Sequence, residues 1–185
     1  NSEQYDRYEK WSGREGFIED NRKNDTWTFA STWSNDEPWK LSQEQIDQNI
    51  KNLTKEQKDI LYNWGTETPF YNAYRDNHAE WIYVDVIDGI PLFSSTDKFD
   101  SWTGRPSFTR PISESLVADQ TDNSLPFERT EIKSTSTSWH LGHVFDDGPS
   151  DKWWKRYCIN SATLKFIPRD QMQQLWYWKY IQLFK

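Results

Sequence analysis

The chain is poor in thiols: its 185 residues include one cysteine, Cys158. A single cysteine excludes an intrachain disulfide and any zinc cage built from several thiolates. It fits a reducing compartment, so a cytoplasmic location is expected, with the cell envelope as the alternative. Long apolar runs are also missing. No stretch approaches the ~20 residues that a membrane-spanning helix needs, and no membrane partner is expected. Runs of Lys and Arg are missing too, and the formal net charge is −7, which argues against a nucleic-acid surface. The chain opens at Asn1 without a signal-like segment and reads as a piece of a longer protein. Glycine is scarce at seven residues, whereas tryptophan is abundant at twelve. Several of these Trp, including Trp11, Trp102, Trp153 and Trp154, stand in polar, turn-like settings where Gly, Asn and Asp are favoured.

What is present divides into three parts. Residues 1–40 are polar and weakly periodic, and read as a tail or linker. Ser42-Gln43-Glu44-Gln45 and Thr54-Lys55-Glu56-Gln57 both match the capping box and predict two short helices. Ile46 and Ile50 share a face of the first helix, and Ile60 and Leu61 anchor the second. From Trp81 onward the pattern is β-like. Ile82, Val84 and Val86 alternate with Tyr83, Asp85 and Ile87, and Asp88-Gly89 supplies a hairpin turn. Further strands are expected at 130–133, 141–145 and 162–167, and a helix is expected after Arg169. The fold class is mainly β, with two antiparallel sheets and short helices at both ends.

Few side chains are equipped for chemistry. Cys158 in RYCINSATLKFIP is either a buried structural cysteine or a nucleophile, and the residues alone leave both readings open. His140 and His143 are three apart in HLGHVFDDGP. A strand sends such residues to opposite faces, so both reach one site only if the chain bends or bulges at Gly142. Asn160 and Arg156 each lie two residues from the thiol, on its face of a strand. The histidine pair resembles a metal motif but has no clear third ligand. Asp85 and Asp88 read as turn residues.

Longer words resolve the choice. GTETPF (65–70), IYVDVIDGIPLFSSTDKFDS (82–101), RPSFTRPI (105–112), RTEIKS (129–134), HLGHVFDDGP (140–149) and RYCINSATLKFIPRDQM (156–172) occur in one order over more than a hundred residues. In these words the chain resembles the methionine sulfoxide reductase B family. YDRYEKWSGREGFIEDN (5–21) resembles the end of a reductase A domain, which implies an A–B fusion with 22–40 as connector. The expected division is therefore a tail over 1–40 and a reductase B domain over 41–185.

The resemblance implies thiol-dependent reduction of methionine-R-sulfoxide, free or in proteins, with no cofactor. Cys158 would be the nucleophile and would become a sulfenic acid. His140 and His143 would deliver protons and position substrate. Asn160 would order the hydrogen bonds, and Glu131 would polarise the sulfoxide oxygen. Arg105 and Arg156 would lie at the substrate. Thr103 occupies the position at which many members carry a resolving Cys, so a thioredoxin-like protein or a small thiol is the expected reductant. A monomer is expected. Some members bind zinc through two CxxC pairs; Asp85, Asp88, Ser134 and Thr137 stand at those positions, and no metal is expected. Arg105 replaces a family Trp that walls the methyl pocket. Trp81, Trp102, Trp153 and Trp154 replace small residues, often Gly; with Arg105, these departures read as systematic errors in the sequence, with an unusual homologue or an inactivated relative as the alternatives. The competing readings are a binding module inactivated at Arg105 and a cysteine hydrolase.

Overall fold

The structure is a computed structural model that describes residues 40–185. The proposed tail over 1–40 lies, except for Lys40, outside the described residues.

Both capping boxes form. Helix α1 is Gln43–Asn52 and α2 is Lys55–Asn63. At α1 the Gln45 N–H donates to Ser42 Oγ (3.3 Å), while the Ser42 N–H donates to Gln45 Oε1 (2.9 Å). Thr54 and Gln57 repeat the exchange at α2. Such a cap is worth about 1 kcal/mol, so short helices with little apolar surface still begin at fixed residues. Ile46, Ile50, Leu53 and Leu61 pack against Ile87 and Trp139.

Nine strands follow: β1 Trp81–Asp85, β2 Pro91–Ser94, β3 Lys98–Phe99, β4 Ser107–Phe108, β5 Val117–Asp122, β6 Arg129–Ser134, β7 His140–Phe145, β8 Arg156–Ile159 and β9 Leu164–Pro168. They form a three-stranded sheet, β2-β1-β9, and a six-stranded sheet, β3-β4-β8-β7-β6-β5, with every pairing antiparallel. The β1–β2 turn closes where expected. Asp85 and Asp88 accept from the N–H groups of Ile87 and Ile90, and Gly89 takes the left-handed conformation at φ 74°.

The core lies between the sheets. Tyr83, Phe93 and Leu164 of the small sheet meet Phe108, Ile132, Val144, Tyr157 and Ile159 of the large one. Phe93 and Phe108 stack with ring centroids 4.6 Å apart. Trp81 is buried here against Phe166, in ordinary strand backbone. Because side chains alternate along a strand, Tyr157 and Ile159 face this core, while Arg156 and Cys158 face the opposite side of the large sheet.

The other face of the small sheet is covered by the C-terminal segment. Met172, Tyr177 and Phe184 pack on Ile82, Val84 and Ile167. The helix expected after Arg169 is replaced by turns and two 3-10 segments, Arg169–Gln171 and Trp178–Phe184. The cause is local. Trp176 has φ 66°, Tyr177 N–H bonds Met172 O at 2.7 Å, and Trp176 N–H bonds Gln173 O at 3.3 Å. This is the Schellman pattern that ends a helix. Among the described residues, no helix is long and apolar enough to cross a membrane.

Candidate active site

Strand register sets out a row of polar residues on the outer face of the large sheet. Gln120 pairs with Glu131, Glu131 with His143, His143 with Cys158, and Cys158 with Ser107. Residues directly opposed in antiparallel strands share a face and are near neighbours. His140 joins the row through a β-bulge. Ile132 pairs with Gly142 and Lys133 with His140, so Leu141 is an extra residue that brings His140 round to the face of His143. The two imidazoles meet edge to face, 5.2 Å between centroids. Gly142 is required by proximity: a Cβ there would lie 2.1 Å from the Cys158 carbonyl oxygen.

Each imidazole is held by a carboxylate. His140 Nδ1 lies 2.7 Å from Glu131 Oε1, with Lys133 Nζ 3.5 Å from the other carboxylate oxygen. His140 Nε2 is buried and has no hydrogen-bond partner among the described residues. His143 Nε2 lies 2.8 Å from Asp122 Oδ2, which also accepts from Arg129 Nη2 at 2.6 Å. Burial lowers the pKa of both histidines, against the opposing pull of Glu131 and Asp122. Both are therefore neutral at neutral pH. Each donates its carboxylate-facing N–H and keeps a lone pair on its other nitrogen. Asp122 is held below the usual carboxylate range by Ser124 first, then by His143 and Arg129.

Cys158 is 4% exposed, and its sulfur has polar neighbours. Arg105 Nε donates to Sγ at 3.3 Å, and Thr103 Oγ1 is 4.0 Å away. Arg105 Nη1 also reaches the Glu67 carbonyl at 3.5 Å. Asn160 sits one turn beyond the thiol, where its Nδ2 donates to Leu141 O and its Oδ1 accepts from the Glu67 N–H. Arg156 is turned towards Asp147 by a two-point pair at 2.7 and 2.9 Å and lies over the Phe145 ring. Burial opposes its charge, while Asp147 and the Cys158 sulfur favour it, and its pKa is raised.

Sequence reading missed Asp122, Glu67 and Asp147. Glu67 and Asp147 lie inside GTETPF and HLGHVFDDGP, so their words were visible and their partners were not. Asp122, in VADQTD, carries no local signal; only the β5–β6 register brings it to His143. At the positions corresponding to zinc ligands, Ser136 Oγ donates to Asp88 and Thr137 Oγ1 donates to Asp85 at 3.2 Å, while Ser134 and Ser136 share a bond. Two carboxylates engaged with hydroxyls and lacking any thiolate do not suit tetrahedral structural zinc. Among the described residues, no group of three or more His, Cys, Asp or Glu side chains is arranged to hold a metal.

Comparison with known proteins establishes the family. Peptide methionine sulfoxide reductase MsrA/MsrB of Vibrio cholerae serotype O1 is 51% identical over 133 residues, covering 72% of this chain and 35% of the relative. The chain thus spans about a third of that relative's length. The SelR domain matches residues 53–168, which include every strand among the described residues, the histidine pair and the cysteine. The chain belongs to the SelR family, the methionine sulfoxide reductase B domains.

Proposed function

We propose that this domain is a peptide-methionine (R)-S-oxide reductase with Cys158 as its reactive thiol. The observation that supports it best is the row Glu131–His143–Cys158 across three strands, with Asp122 behind His143, in a chain of this family. His143 takes the thiol proton on its free ring nitrogen, and Asp122 stabilises the imidazolium. This is the base-and-orienter arrangement that activates nucleophiles. The thiolate attacks the sulfoxide sulfur while the oxygen is protonated. The hydroxyl then passes to Cys158 Sγ as the sulfur–oxygen bond and the new sulfur–sulfur bond break, the thioether leaves with the electron pair, and Cys158 is left two electrons oxidised as a sulfenic acid. The orphaned Nε2 of His140, held by Glu131, is a docking point for the sulfoxide oxygen or its bridging water. Asn160 orders the turn that follows Cys158, and Arg156 adds positive charge near the sulfur.

The sulfenic acid is reduced by two external thiols, giving a disulfide between them and water. A thioredoxin-like protein or a small thiol fills this role. The domain acts as a cytoplasmic monomer within an A–B fusion, with residues 22–40 as the connector to the A domain. A second reading, a binding module without turnover, rests on one observation: the Arg105 guanidinium lies against Cys158 Sγ. Turnover of R and S sulfoxides with dithiothreitol, beside Cys158→Ser, separates the two. R-specific turnover lost in the variant supports the reductase. A folded parent inert towards both epimers sinks it.

A further inference from the structure

We infer that Glu67 is a positioning residue for the thiol, and this rests on the reading of Cys158 as the reactive group. Glu67 is buried, and its Oε1 and Oε2 accept the N–H groups of Ser161 (2.6 Å) and Ala162 (3.2 Å). Its own N–H holds Asn160 Oδ1, and its carbonyl accepts from Arg105, the residue whose Nε contacts Cys158 Sγ. One residue thus fixes both the turn leaving the β8 thiol and the donor on its sulfur. Burial raises the Glu67 carboxyl to about 7, against its hydrogen bonds from Ser161 and Ala162. Glu56 adds like charge, Tyr74 is buried nearby, and Arg105 is the cation in contact. Protonation turns one of the two acceptor oxygens into a hydroxyl, takes the acceptor from one of the two backbone donors, and loosens the turn around neutral pH.

The test is the rate of Cys158 alkylation by iodoacetamide against pH, for the parent, Glu67→Gln and Glu67→Ala, with folding checked by circular dichroism. An inflection near pH 7 in the parent, absent from folded Glu67→Gln, is expected. Superimposable profiles overturn the inference. Alkylation needs no sulfoxide, so a parent without reductase turnover defeats the proposed function and leaves this test standing.

A different observation carries a second inference. Among the described residues, seven non-glycine residues have positive φ, and five of them are tryptophan: Trp64 (51°), Trp102 (60°), Trp153 (63°), Trp154 (60°) and Trp176 (66°). Each stands where a chain ordinarily uses glycine. Trp64 caps α2 in left-handed backbone, Trp176 is the left-handed residue of the Schellman turn, and Trp153 ends the 3-10 turn Ser150–Lys152. The rings gain little from burial: Trp102 is 82% and Trp153 90% exposed. Left-handed backbone disfavours any Cβ, and rings as exposed as those at 102 and 153 do little to offset that cost. Trp81 and Trp139 have ordinary backbone and pack on neighbours, so the geometry singles out a subset.

We propose that residues 64, 102, 153, 154 and 176 are glycine in the protein as its own ribosomes make it. Repetition at five separate turn positions is what one triplet decoded differently by the host produces. Peptide mass mapping of the protein from its native cells tests this directly. Glycine at all five positions is expected, and tryptophan at them overturns the proposal. A recombinant comparison isolates the backbone: the five-fold Gly variant should melt above the five-fold Ala variant, and equal melting temperatures also overturn it.

Discussion

His143 stands directly opposite Cys158 in the β7–β8 ladder, and Asp122 of the outermost strand holds the far side of its ring at 2.8 Å. On the proposed chemistry, three strands contribute one residue each to a nucleophile, a base and an orienting carboxylate. Replacing Asp122 by Asn leaves the shape but removes the charge that stabilises the imidazolium. Turnover should fall about 100-fold, the lower range for a positioned base. The low-pH limb of the rate profile should move to lower pH, because Asp122 raises the His143 pKa against burial. Unchanged rates in Asp122→Asn would remove Asp122 from the mechanism.

Cys158 is the only thiol, so oxidation by substrate should leave one dimedone-reactive site and no internal disulfide. Intact mass after one equivalent of sulfoxide checks this. Cys158→Ser should bind no dimedone and show no turnover. A dimedone adduct in that variant would place the chemistry elsewhere.

Arg105 puts a guanidinium against the thiol, its Nε 3.3 Å from the sulfur. A planar apolar wall suits a methyl group better than a charged fork. Arg105→Trp should raise kcat/KM on methionine-R-sulfoxide by about tenfold, or ~1.4 kcal/mol of transition-state stabilisation. A fall in kcat/KM would mean that the guanidinium takes part in the reaction.

Asp85 sits beside Asp88, and burial followed by that neighbouring charge raises its pKa from 3.8 to about 7. The folded chain therefore keeps a proton that the unfolded chain releases. The stabilisation is complete below the ordinary Asp range and is lost as pH rises through about 7. Asp85→Asn should be more stable than the parent at pH 8 by roughly 1–3 kcal/mol and similar to it below the ordinary Asp range. Glu67, raised in the same direction, should leave a residual slope. Denaturant titrations at several pH values measure both, and parallel curves for the two proteins would refute the account.

Local signals were readable in the sequence. Two capping boxes, the Asp88-Gly89 turn and the alternation from Ile82 each need only neighbours within a few residues, and each formed. Gly142 marked the irregularity that lets both histidines serve one face. Long-range pairings were not readable. Asp122 meets His143 only through strand register, and Arg156, beside the Cys158 sulfur as its spacing suggested, also pairs with Asp147, a partner its spacing did not show. The C-terminal helix failed because its apolar pattern suits either a helix or a set of buried turns. A left-handed residue at 176 then decided between them.

Thr103 places a hydroxyl 4.0 Å from the Cys158 sulfur. A hydroxyl can shelter an oxidised sulfur but cannot lock it into a covalent ring. On the proposed chemistry, every cycle ends with a waiting period that only a collision with an outside electron donor can end. When peroxide outruns those donors, the waiting sulfur passes to the sulfinic state, from which ordinary thiols do not rescue it. The working life of the domain would then be set by its surroundings, and it would fail first in cells whose thiol supply has already run down.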